Sequence, residues 1–154
     1  KSANYNPTFF GCDGLDGLLS IKNFDTSLCE GVMLLTPFAA DAQDQATQDF
    51  VKKYKDAYKG ETPNQFAADA YDGVMVLAEL MKKEGITADM SASDICDKLK
   101  KAISDKDFSY DGLTGTGMKW GEDGAVSKDP KAVIIKNGAY SALTADDIAA
   151  STAQ

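Results

Sequence analysis

The sequence predicts an α/β fold. Two apolar runs near its start, "TFFGC" at residues 8–12 and "GVMLLT" at 31–36, lack polar alternation, as strands covered on both faces do. Helical periodicity fills most of residues 41–106, and a third strand-like run, "KAVIIK", follows at 131–136. Strands that come before and after a block of helices within 154 residues are the order of a single α/β domain.

The elements follow in order. Residues 8–12 read as a buried strand closed by Asp13-Gly14, and residues 14–23 as a weak helix with Leu15, Leu18, Leu19 and Lys22 along one side. The run 31–36 is a second strand, ended by Pro37. Residues 41–59 are helical: Ala46, Phe50, Tyr54 and Ala57 or Tyr58 recur at helical steps until Gly60 stops them. The next helix carries a strong start signal, with Thr62 as N-cap, Pro63 at the first position and Gln65 completing a capping box. Its run "FAADAYDGVMVLAELMKKEG" puts Ala67, Ala70, Tyr71, Val74, Leu77, Ala78 and Met81 on one wide apolar face, expected to point inward. Lys82 and Lys83 suit the C-terminal dipole, and Gly85 closes the helix. Ser91 with Asp94 caps a third helix with Ile95, Leu99 and Ile103 inward, and Cys96 beside them is expected in the core. After Asp107 the chain turns to short strands: "GEDG" reads as a tight turn, the strand 131–136 is followed by Asn137-Gly138 and then Tyr140, and Thr144 reads as the cap of a last short helix.

Composition narrows the function. A net charge of −8 leaves no basic patch for phosphates and argues against nucleic acid. The chain has no histidine, and all sixteen of its basic residues are lysine. Without histidine it lacks the usual general base near neutral pH, and without arginine it lacks a planar fork for carboxylates. Enzymatic function is therefore the weaker class, and no cofactor or metal is expected. No apolar run is long enough, at about 18 residues, to span a membrane. The start, "KSANYN", has neither the basic end nor the apolar core of a signal peptide, and it reads as a processed chain or a fragment.

The motifs sort as follows. Counting a calcium loop from Asp13 puts Leu15 and Gly17 where oxygen ligands belong, so the pattern fails. "GLTGTG" has no Gly-Lys-Ser/Thr after it and reads as a turn. Cys12, Cys29 and Cys96 lack metal spacing, and Cys12 has no histidine to activate it as a nucleophile. With parallel strands, Cys12 and Cys29 stand at opposite ends of the sheet, roughly 15 Å apart, so three free thiols are expected. Asp13 stands at the carboxyl end of the first strand, where open α/β sheets bind ligands, flanked by Cys12 and Gly14. Taken alone, it is either the aspartate of an Asp-Gly turn or a carboxylate held out to a ligand's ammonium.

The segments "FFGCDGLDG", "EGVMLLTPF", "FVKKYKDAYKGETPNQFAADAYDGVMVLAELMKKEG" and "LTGTGMKWGEDGAVSKDPKAVIIKNGAY" resemble, in order and spacing, the C-terminal part of type I periplasmic binding proteins of the branched-chain amino acid (Leu/Ile/Val) group. The resemblance implies two Rossmann-like lobes, joined by hinge strands, that close over a ligand. It assigns residues 1–36 and 131–154 to the second lobe and 37–130 to the first, with hinges near Thr36–Pro37 and Asp129–Lys131. It gives Asp13 the role of ammonium acceptor, although many relatives carry Glu there. It makes Cys12 and Gly14 the flanks through which a ligand approaches the backbone, and it brings Phe66 to the ligand side chain; the bland alternative for Phe66 is a core residue opening a helix.

The function implied is extracytoplasmic capture of an amino acid and its delivery to an ABC transporter permease. The location implied is periplasmic, or extracellular with a membrane anchor. Alternatives are a sensor domain of the same fold, or a binder of amides, urea or aromatic acids. The implied partners also include the missing N-terminal half of the same protein or a swapped copy. A chain of this kind is expected to expose sheet edges and large apolar helix faces.

Overall fold

The computed structural model describes residues 7–152. They form two compact units: the residues up to Gln65 together with those from Pro130, and Phe66–Asp129.

The first unit holds a four-stranded sheet in the order β1-β2-β5-β6, made of β1 (Phe10–Gly11), β2 (Met33–Thr36), β5 (Lys131–Lys136) and β6 (Ala139–Ala142). β1 runs parallel to β2, with Phe10 opposite Met33 and Gly11 opposite Leu34, while β5 is antiparallel to both β2 and β6. The lack of alternation in the two central strands has its expected cause. Leu34, Val133 and Ile135 join Cys29 and Val32 in one core, and Met33 and Ile134 on the opposite face are also buried. Asn137 and Gly138, with φ of 52° and 73°, make the β5–β6 turn that Asn-Gly favours.

β1 departs from expectation. Phe9 and Phe10 are exposed, because β1 is a two-residue edge strand paired on one side only. The weak helix expected at 14–23 is two 3-10 turns, Asp13–Leu15 and Leu18–Ser20, separated at Gly17, whose φ of 89° no helix continues through. Helix α1 (Gln45–Ala57) is capped by Asp44, which accepts the Thr47 N–H, and its aromatics run on from Phe38. The ring pairs Phe38–Phe50, Phe50–Tyr54 and Tyr54–Tyr58 have centroids 5.8, 6.0 and 4.4 Å apart. Helix α4 (Ala145–Thr152) opens on a reciprocal box: the Thr144 N–H donates to Asp147, and the Asp147 N–H donates to the Thr144 hydroxyl.

The second unit contains the rest of α2 (Gln65–Lys83), α3 (Ala92–Ile103) and the hairpin β3 (Lys119–Trp120) and β4 (Val126–Ser127) around the "GEDG" turn. α3 opens with the expected Ser91 cap on the Asp94 N–H. Cys96 is exposed rather than in the core: the inward stripe is Ile95, Leu99 and Ile103, and Cys96 lies one residue off it. The core is Val76, Leu80, Ala102 and Phe108, with Leu99, Ile103, Tyr110 and Trp120 packed against it.

α2 also departs from expectation. It buries the stripe Ala68, Asp72, Val76 and Leu80, while Tyr71, Val74, Leu77 and Met81, expected inward, are exposed, Val74 by 65%. The helix is apolar on more than one side, and the elements of this unit cover the narrower side. The expectation of a large exposed apolar helix face is met here.

Candidate functional site

The turn after β1 is shaped by two Asp-Gly pairs with different tasks. Gly11 ends β1, and a Cβ there would meet Leu15 Cδ1 at 2.2 Å, so any larger residue would have to displace the Leu15 side chain that folds back over the strand end. Cys12 leaves the strand exposed and extended, its carbonyl accepting the Leu15 N–H at 3.0 Å. Asp13 then opens the first 3-10 turn. Its carboxylate is exposed and accepts the N–H of Gly14 at 3.0 Å. A Cβ on Gly14 would meet nothing within 4 Å, so the backbone there stands open. The three ion pairs among the described residues are Lys52–Asp56, Lys128–Asp69 and Lys136–Asp147, and none engages Asp13.

The second aspartate is used up by the fold. Asp16 accepts the Gly17 N–H on Oδ1 at 2.8 Å and the Gln65 N–H on Oδ2 at 2.6 Å, capping α2 from a loop 49 residues away. The Tyr140 hydroxyl accepts the Gly17 N–H at 3.2 Å, and burial followed by the Asp16 charge pushes that phenol above its ordinary range. Gln65, only 1% exposed, completes the set. Its Nε2 donates to the Asp13 carbonyl at 3.0 Å, and the Thr36 hydroxyl shares its hydrogen between Gln65 Oε1 at 3.0 Å and the Phe38 carbonyl at 2.9 Å. The capping role read from sequence is thereby corrected. α2 opens at Gln65, not at Pro63, and the Gln65 side chain is turned to Asp13 and Thr36.

Of the residues singled out from sequence, Cys12, Asp13 and Gly14 are brought together on one exposed turn. Phe66 lies in the other unit as the second residue of α2 and is 50% exposed. Neither Asp16 nor Gln65, the latter read only as a helix cap, was expected near the site, although the doubled Asp-Gly of "DGLDG" carried a signal for the former. A cavity of about 480 Å³ in the sheet-bearing unit is walled by Leu19, Phe38 and Val133, with Lys55, Asn64 and Tyr140 at its polar positions. Asp13 is not among its lining residues. Among the described residues no group of histidine, cysteine and carboxylate side chains converges as metal ligands would, and the cysteines are all free thiols.

The second unit has its own buried anchor. Asp72, on α2, accepts the N–H groups of Leu113 and Thr114 at 2.9 and 2.8 Å and the Thr114 hydroxyl at 2.8 Å. A Cβ on Gly112 would lie 2.5 Å from Asp72 Oδ2, so "DGLTG" is a turn wrapped on a carboxylate. Lys128 donates to Asp69 at 2.7 Å and to the Thr114 hydroxyl at 3.2 Å, fastening the end of this unit to the same turn.

The family model described as periplasmic binding protein matches residues 8–139. Comparison with curated proteins gives no significant match. Among solved structures, a leucine binding protein LivK from Thermotoga maritima is 23% identical with a TM-score of 0.67, over 95% of this chain and 40% of that one. The substrate binding protein LivJ of the branched-chain amino acid transporter of Streptococcus pneumoniae, solved with isoleucine, is 21% identical with a TM-score of 0.71, over 92% of this chain and 37% of that one. An ABC transporter solute binding protein from Rhodopseudomonas palustris, solved with benzoate, is 19% identical with a TM-score of 0.66, over 87% and 34%. The chain thus spans about two fifths or less of the length of each of these structures. By its family match and its fold, it belongs to the periplasmic binding proteins, with the type I fold of that family.

Proposed function

We propose that the chain carries part of the ligand site of an extracytoplasmic solute-binding protein, and that its ligand is an amino acid of the branched-chain type. The observation that carries this reading is Asp13: an exposed carboxylate at the carboxyl end of β1, without a lysine partner among the described residues, on a turn held by part-buried hydrogen bonds to Gln65. A carboxylate in a closing cleft gives up its water favourably only against a cation, and an α-ammonium supplies one. Cys12 and Gly14 form the open flank of that contact, and Phe66 meets the ligand side chain. With no arginine in the chain, the ligand's carboxylate is held by backbone amides and hydroxyls of residues outside it.

The same reading assigns residues 1–36 and 131–154 to one lobe and 37–130 to the other, with closure about the hinges presenting the loaded protein to an ABC permease. It places the protein outside the cytoplasm, either periplasmic or extracellular with a membrane anchor. The exposed face of α2 is covered by the N-terminal half of the full-length protein or by a swapped copy.

A second reading, an aromatic acid as ligand, is favoured by the benzoate-bound relative and by the exposed ring of Phe66. Thermal shift of the full-length protein against amino acids, amides, urea and aromatic acids separates the two by mass action. Stabilisation by leucine, isoleucine or valine supports the first reading. A response to benzoate without one to any amine refutes it.

A further inference from the structure

The hydrogen bonds around Gln65 lead to a residue role that neither the family resemblance nor the sequence pattern assigns. The Asp13 carbonyl accepts two bonds, from the Asp16 N–H at 2.9 Å and from Gln65 Nε2 at 3.0 Å, so both of its lone pairs are used. The Gln65 main chain grips the same turn a second time, through its N–H on the Asp16 carboxylate at 2.6 Å. The turn that presents Asp13 is therefore clasped at both of its aspartates by one residue, and that residue is almost wholly buried. Among the described residues the Asp13 carboxylate accepts only the adjacent Gly14 N–H, a local and exposed bond. The direction of the carboxylate is thus set through the backbone.

We infer that Gln65 is the positioning residue of the Asp13 turn. Its amide Nε2–H fixes the Asp13 carbonyl and thereby the aim of the Asp13 carboxylate, while its Oε1 only ties the turn to the end of β2. The inference rests on the reading of Asp13 as the ammonium acceptor. The two ends of the amide thus have different tasks, and variants can separate them. Gln65→Met keeps the volume and the main-chain bond but loses both side-chain bonds. Gln65→Glu keeps an acceptor for Thr36 and puts an oxygen where the donor to Asp13 stood. Thr36→Val removes the other partner and leaves the donor in place.

The experiment is made in the full-length protein with L-leucine as probe, measuring affinity by calorimetry and the exchange rates of the Leu15 and Asp16 amides without ligand. Gln65→Met and Gln65→Glu are expected to weaken leucine binding roughly tenfold, the size of one net hydrogen bond, and to speed exchange at Asp16. Thr36→Val is expected to lower the melting temperature while leaving affinity within about twofold. The inference is overturned if Gln65→Met binds leucine as the parent does with unchanged exchange. It is also overturned if Thr36→Val weakens binding as much as Gln65→Met, since the network then only holds the fold. If Gln65→Glu does not fold, Gln65→Met decides. If Asp13→Ala leaves leucine binding intact, the ligand reading fails, and the exchange rates alone judge Gln65: faster exchange in Gln65→Met supports its grip on the turn, and unchanged exchange refutes it.

Discussion

Asp72 offers the sharpest test of how the second unit is held together. Its carboxylate, 4% exposed, accepts three hydrogen bonds of 2.8–2.9 Å from Leu113 and Thr114. Bonds to a charged acceptor contribute about 1.5–3 kcal/mol each, but burying the charge costs several kcal/mol in return. Asp72→Ala removes that burial cost and leaves two amides and a hydroxyl facing a void, each unsatisfied donor costing about 1–3 kcal/mol. With water reaching part of the space, the expected loss is about 3 kcal/mol. Asp72→Asn keeps one acceptor and turns an amide N–H toward Thr114, for a loss of about 2 kcal/mol.

Gly112 supplies an internal control. Gly112→Ala places a methyl 2.5 Å from Asp72 Oδ2, so it should cost about 2 kcal/mol in the parent and much less in Asp72→Ala, where the obstructing oxygen is gone. Trp120 is the single tryptophan and lies in this unit, so urea denaturation followed by its fluorescence reports the right region. A loss below about 0.5 kcal/mol for Asp72→Ala, or an equal cost of Gly112→Ala in both backgrounds, would refute the reasoning.

Two further outcomes are expected. Asp147 is held down to about 2 by Lys136 first and by the Thr144 hydroxyl and N–H after it. Its folded-state value lies below the ordinary carboxylate value of about 3.9, so its contribution is complete above that value and is lost as pH falls through about 2. Asp147→Asn should therefore flatten the acid limb of a stability-against-pH curve between about pH 5 and 2, and an unchanged limb would contradict the pairing. Gly17 sits at φ 89°, in the left-handed region, so Gly17→Ala should cost about 1–2 kcal/mol. Gly14→Ala, with nothing within 4 Å of its Cβ, should stay within about 0.5 kcal/mol, and equal costs at the two glycines in chemical denaturation would contradict the turn geometry.

The parts legible in sequence are those that local pattern decides. β2 and β5 were visible because buried central strands need no polar face, and the α3 cap because Ser91 and Asp94 satisfy one another within a turn. The place of Asp13 just past the end of β1 was legible too, because an Asp-Gly pair closes the apolar run. What was not legible depends on partners far along the chain. α2 has apolar residues on more than one side, so periodicity alone did not say which side its own unit covers. Phe9 and Phe10 look like a buried strand until β1 is found at the sheet edge. Gln65 matched a local capping box, yet its bonds go to Thr36 and to Asp13, 29 and 52 residues away, and no nearest-neighbour rule contains them.

The central claim is that Asp13 receives a ligand's ammonium, and a calorimetric cycle with two ligands tests it most directly. Leucine and its amine-free counterpart, 4-methyl-2-oxopentanoate, are titrated into the full-length protein and into its Asp13→Ala variant. The account predicts that the parent prefers leucine by at least about a hundredfold, the worth of one desolvated ion pair of about 3 kcal/mol, and that Asp13→Ala abolishes most of that preference by losing affinity for leucine alone. Equal preference in parent and variant would contradict it.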